Sequence, residues 1–265
     1  MRPLPIFLVA GCTAFALIAC QPKKEKESTA THQQENSLKK ETEIDRIEAA
    51  HHRKHFLSKK AIAFDLSIVF GGNQIFNGKV SLLTDSSKGK IDFSDGTQLI
   101  TIADKVYHDP AMKNEERIRF NAYTWPYFFL LPYKLSDKGT MWSEFGTQNM
   151  NGTPYNIQKL TFKGGTGDTP DDWYYVYSNT ENHLVSAAAY IVTYGKSKEK
   201  AESDPHAIAY SNYVKVDGIP IASEWSFSGW NKQEGLTEVI GKATLSNIKF
   251  VDQVDFTTPE NFIKK

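Results

Sequence analysis

The 265-residue chain balances 31 Lys and Arg against 31 Asp and Glu, so it lacks the single-signed field on which nucleic-acid binding depends. Its two cysteines, Cys12 and Cys20, lie at the start, and the rest contains no thiol, which excludes disulfides, thiol catalysis and cysteine-ligated metals there. The length suits one domain of about 200 residues behind a leader.

The leader comes first. Arg2 supplies a positive start, Leu4 to Ile18 an apolar run, and Leu17-Ile18-Ala19-Cys20 resembles a bacterial lipobox. Residues 1–19 therefore read as a lipoprotein signal peptide, with Cys20 acylated after cleavage. The run stops at Gln21-Pro22-Lys23-Lys24, short of the roughly 20 apolar residues that a spanning helix needs. Residues 20–41 read as a disordered tether, since no aromatic occurs between Cys20 and His55 and little apolar surface offsets the entropy of ordering.

The folded domain is expected over 42–265. Thr42-x-x-Asp45 is a helix start, and Ile44, Ile47, Ala50 and Lys54 continue at helical spacing to about Leu57. The period then changes to two: Ile62, Phe64, Leu66, Ile68 and Phe70 alternate with smaller or polar residues in a half-buried strand. Gly71-Gly72-Asn73 turns into a second strand carrying Phe76, Val80 and Leu82. Further strands are expected at 88–93, 97–107, 141–148, 155–162, 172–178, 184–194, 207–216, 219–230 and 237–250, eleven in all. Asp217-Gly218 forms a tight hairpin. Leu184 to Val192 is apolar on both faces, which predicts a central strand covered from both sides. Between Arg119 and Leu135, the run Trp125 to Tyr133 is too apolar for a surface loop and too rich in proline for a central strand. A short helix packed on the concave face of a curled antiparallel sheet fits it.

These residues resemble the LolA/LolB lipoprotein-carrier fold, a mainly β (α+β) half-open barrel with an N-terminal helix and an aromatic inner helix. Tyr127 to Gly139 and Pro170 to Tyr177 are similar to an uncharacterised family of bacterial lipoproteins with that fold. The resemblance implies a cavity for acyl chains. Here it would be lined by Phe64, Phe76, Trp125, Tyr127, Phe128, Leu131, Trp173, Tyr175, Tyr190, Trp225 and Phe227. The competing reading is that the same aromatics fill an ordinary core.

Other candidates carry less. His51 and His55 are four apart in a helix and could share a face, but Arg53, Lys54, Lys59 and Lys60 surround them and no metal site is expected. Asp168, Asp171 and Asp172 share a Gly-rich loop that matches no Ca²⁺ pattern, and no phosphate-binding glycine loop occurs, so no cofactor is implied. His108-Asp109 lacks a partner nucleophile, and neither G-x-S-x-G nor H-E-x-x-H is present, so no catalytic residue is assigned. The expectation is a non-enzymatic binding protein in the bacterial envelope, anchored to the inner or outer membrane through Cys20 and facing the periplasm. It would hold an acyl chain or lipoprotein lipid. The alternative is a protein-interaction module whose cavity fills itself; a hydrolase would need a nucleophile and base that meet only in space.

Overall fold

A computed structural model describes residues 41–150 and 152–265; the signal segment, Cys20 and the tether to residue 40 lie outside the described residues. The capping box forms as the sequence requires: Thr42 N donates to Asp45 Oδ2 (2.8 Å) and Asp45 N to Thr42 Oγ1 (3.2 Å), opening α1 (Glu43–Ala50). The helix does not run on to Leu57. It breaks at His52, whose φ is 53°, and restarts as α2 (Arg53–Ser58). In a continuous helix Phe56 would point about 140° away from His51. The break turns both inward, and both are buried.

Five strands follow as a meander: β1 (Ala61–Phe70), β2 (Asn73–Leu83), β3 (Lys88–Phe93), β4 (Gln98–Ile102) and β5 (Lys105–His108). The single strand expected over 97–107 is thus two. The chain reverses at Ala103, at φ 54°, a conformation for which alanine gives no sequence signal. After α3 (Glu115–Leu130) and a 3-10 turn at Leu131–Tyr133, a second meander runs through β6 (Thr140–Met150), β7 (Thr153–Phe162), β8 (Tyr174–Asn179) and β9 (Val185–Tyr190). A short α4 (Lys198–Glu202) precedes β10 (His206–Val216), β11 (Ile219–Asn231) and β12 (Gly235–Val251), and β13 (Ile263–Lys264) ends the chain. Asp217 and Gly218 both have positive φ (49° and 78°), as the predicted hairpin needs.

All thirteen strands form one antiparallel sheet in the order β13-β5-β4-β3-β2-β1-β12-β11-β10-β9-β8-β7-β6. It is two strands larger than expected, from the split at Ala103 and the addition of β13. The first meander ends near one edge of the sheet and the second begins at the other. The segment joining β5 to β6 must therefore cross the whole sheet. A 16-residue helix spans about 24 Å, and α3 makes that crossing on the concave face.

Two apolar clusters lie on opposite faces of the sheet. The larger gathers Phe64, Leu66, Phe76, Val176, Ala188, Tyr190, Trp225 and Phe227 against α3. The smaller holds Trp173, Tyr175, Tyr177, Ala187, Ala189 and Trp230, with Ala201 of α4 among them. β9 contributes to both, as the apolar residues on both of its faces predicted.

Candidate functional site

Eight of the eleven predicted cavity residues, Phe64, Phe76, Trp125, Phe128, Leu131, Tyr190, Trp225 and Phe227, do meet in one buried cluster on the concave face, and Tyr127 packs against it partly exposed. Trp173 and Tyr175 do not join them. They lie on the convex face, where the Trp230 ring stacks on Tyr175 (centroids 5.2 Å, 20°) and Trp230 Nε1 donates to Tyr177 Oη (2.8 Å). In β8 it is Tyr174 and Val176 that point inward. Tryptophan or tyrosine occupies every position from Trp173 to Tyr177 except Val176, so no alternation shows which side faces in. A one-residue change of register moves the whole set to the other face.

The centre of the site is α3. Asn114 caps it by accepting from Arg117 N (3.3 Å), and Asn121 Oδ1 accepts from Trp125 Nε1 (3.0 Å), which satisfies two buried polar groups at once. Pro126 removes one helix donor, and Pro132 removes another, the N–H that would serve Phe128 O. Tyr210 Oη of β10 donates to that carbonyl instead, at 2.8 Å. The sheet thereby supplies a hydrogen bond that the helix sequence cannot.

Side chains of α3 occupy the concave face closely. Phe129 stacks on Phe64 (4.3 Å, 29°), Phe128 meets Tyr190 (4.8 Å), and Trp125 lies edge-on to Phe227 (5.9 Å). Phe129, absent from the predicted lining, is 4% exposed and packs as deeply as Trp125. A space of about 10 Å³ lies beside His51, Phe129, Tyr133, Tyr210, Tyr213 and Trp225, room for roughly one water. A larger depression, about 580 Å³, lies outside this cluster, along Glu48, His52, Arg53, Lys54, His55 and Ser58.

The α1–α2 pair closes one end of this packing. Phe56 stacks on Tyr133 (3.7 Å, 5°), and His51 Nε2 accepts from Val185 N of β9 (3.0 Å). The proton of neutral His51 is then on Nδ1, which has no partner among the described residues. Burial pulls the His51 imidazole down to about 3, with adjacent His52 adding to it, so the ring is neutral at physiological pH. His55 lies beyond the helix break and is exposed, so the His51–His55 pair shares no face.

Burial likewise pushes the phenols of Tyr127, Tyr133, Tyr174, Tyr190, Tyr210 and Tyr213 upward and keeps them neutral. The loop carboxylates have structural roles. Asp168 takes two hydrogen bonds from Arg119 (2.8 Å each), and Asp172 accepts from Thr193 N and Oγ1 (2.7 Å each) and Thr169 Oγ1 (2.7 Å). No group of three His, Cys, Asp or Glu able to hold a metal occurs among the described residues.

No family model and no curated protein matches the sequence. Solved structures match the fold. A DUF1329 family protein from Desulfovibrio piger superposes with TM-score 0.51 at 14% identity, over 79% of this chain and 93% of that one. A LolA superfamily protein from Nitrosomonas europaea gives 0.50 at 8%, over 79% and 98%. The chain has the LolA-like fold. A putative outer membrane lipoprotein-sorting protein domain from Vibrio parahaemolyticus is similar to the same extent, with TM-score 0.50 at 12% identity over 81% and 95%. In this LolA-like half barrel the protein's own α3 covers the concave face.

Proposed function

We propose that this protein is a non-enzymatic interaction module of the bacterial cell envelope, anchored through lipidated Cys20, built around a LolA-like half barrel that its own α3 fills. The observation that carries this reading is the packing of Trp125, Phe128, Phe129 and Leu130 on the concave face, each at most 4% exposed. The lipobox-like leader and the likeness to a putative lipoprotein-sorting domain support the envelope setting.

The second reading, an acyl-chain binder, is favoured by the convergence of eight predicted lining residues on one face. It requires α3 to leave. Exposing Ile118, Trp125, Phe128, Phe129 and Leu130 costs on the order of 10 kcal/mol at about 2 kcal/mol per large side chain. That approaches the total stability of a typical domain. An acyl chain drawn from a membrane is already out of water, so its transfer offsets little of that cost.

Lipid extraction and mass spectrometry of the full-length protein, purified in detergent, separate the two. The module reading expects no non-covalent lipid approaching one per protein. A stoichiometric lipid that survives repeated purification would overturn it in favour of the binder.

A further inference from the structure

One end of the half barrel carries a row of polar aromatics with unused hydrogen-bonding capacity. Tyr174 of β8 pairs across the ladder with Tyr190 of β9, which pairs with His206 of β10, which pairs with Gly229 of β11. Tyr127 of α3 packs on Tyr174 (5.5 Å), Tyr174 is stacked with Tyr190 (6.1 Å, 29°), and Tyr190 with His206 (6.4 Å, 29°). Tyr174 and Tyr190 are each only 7% exposed, yet the hydroxyls of Tyr127, Tyr174 and Tyr190 have no hydrogen-bond partner among the described residues. The other deep phenols on the concave face differ: Tyr133, Tyr210 and Tyr213 each donate to a backbone carbonyl. Three adjacent rings therefore carry hydroxyls without a protein partner among the described residues, and the row ends at Gly229, which presents no side chain.

The surroundings select the ligand chemistry. The carboxylates of Asp172 and Asp137 lie close enough to push the Tyr127 phenol further up, and Asp172 acts on Tyr174 too, so a second anion would meet like charge. A cation would need open ring faces, but these rings pack on one another. Neutral phenols both donate and accept, which complements a group that does the same. His206 retains 33% of its side-chain surface, enough to offer an aromatic edge or face to such a group.

We propose that Tyr127, Tyr174, Tyr190 and His206 form a binding site for an uncharged polyol, such as a sugar unit of an envelope glycan. This goes beyond the interaction-module reading and rests on its premise that α3 stays in place, because Tyr127 belongs to that helix.

The test uses the full-length protein in a polyoxyethylene detergent, since glucoside detergents carry the probe group. Glucose and N-acetylglucosamine are titrated while tyrosine and histidine ring signals are followed by NMR, with acetate and phosphate as anionic comparisons. The expected result is saturable shifts at these four rings with Kd about 1 mM, and roughly tenfold weaker binding in the Tyr174→Phe/Tyr190→Phe variant. Keeping both rings preserves the packing, which thermal unfolding verifies; His206→Ala provides a second, less buried variant and should also weaken binding. Absence of a saturable response to either sugar at about 100 mM would overturn the proposal. So would a preference for the anions, or sugar binding unchanged in both variants. A retained lipid with normal sugar shifts would overturn the module reading alone, and absent shifts in a lipid-free protein would overturn the sugar site alone, so the two failures are distinguishable.

Discussion

His51 Nε2 accepts the backbone N–H of Val185 at 3.0 Å, joining the end of α1 to the first residue of β9 across 134 positions of sequence. The bond exists only while the imidazole is neutral, because a protonated ring has no acceptor.

That gives a pH dependence with a definite sign. The folded value of about 3 lies below the ordinary 6.5, so the fold binds fewer protons than the unfolded chain. Stability from this residue is present in full above about pH 6.5 and is lost as pH falls toward 3. The loss is about 1.4 kcal/mol per unit, hence roughly 2–3 kcal/mol between pH 6.5 and 4.5. Urea unfolding at several pH values should show a shallower decline for His51→Gln, which keeps an acceptor and does not titrate. Parallel curves would contradict this assignment.

Glu43 provides a second tie from α1 to the sheet. Its Oε1 accepts from Ser178 Oγ (2.7 Å) and lies 3.1 Å from His183 Nδ1, while Oε2 pairs with Arg46 (3.1 Å). Burial pushes the Glu43 carboxyl up, but hydrogen bonds from Ser178, His183 and Asn156 outweigh it and hold the group below its usual 4.5. Stability from Glu43 is therefore present above that value and lost as pH falls through the lowered one. Glu43→Ala strands the fully buried Ser178 hydroxyl and should cost about 1–3 kcal/mol. Glu43→Gln should cost less and remove only this residue's share of the acid dependence, as the difference from wild type in denaturant midpoints at pH 7 and pH 4 would show.

Phe128 tests the filled interior. It is 2% exposed among Trp125, Tyr190 and Phe227, so Phe128→Ala should lower stability by about 3–5 kcal/mol. Chemical denaturation measures this directly. A loss below about 1 kcal/mol would mean that α3 is not packed in solution as described.

Gly78 tests the close approach of β2 and β3. A Cβ there would come within 2.7 Å of Asp92 O, a backbone atom that cannot rotate away. Gly78→Ala should cost about 1–3 kcal/mol, whereas Gly164→Ala, with nothing within 4 Å, should stay within about 0.5 kcal/mol. Equal thermal shifts for the two would count against the register of this pair.

Much of the architecture was legible in residues close together in the chain. The alternation Ile62, Phe64, Leu66, Ile68 placed β1, Thr42 and Asp45 placed the start of α1, and Asp217-Gly218 placed a hairpin. These are local signals, set by backbone geometry and by the periods of helix and strand. Trp125 to Tyr133 announced something buried inside the curl for the same reason.

The face that each aromatic serves was not legible. Trp173 and Tyr175 lie on the convex side because β8 pairs in the register Tyr174↔Tyr190, and consecutive aromatics leave no alternation from which to infer it. The break at His52 was equally hidden, since it follows from where His51 and Phe56 find partners, Val185 and Tyr133.

By itself, then, the sequence determined a thiol-free, curled antiparallel domain with an apolar inner helix behind a lipobox-like leader. Only the tertiary structure decided how closely that helix fills the curl and which aromatics meet it. The reason is topological and steric: β5 and β6 lie toward opposite edges of one sheet, so the chain between them must cross it, and α3 does so on the concave face, where its side chains take the space.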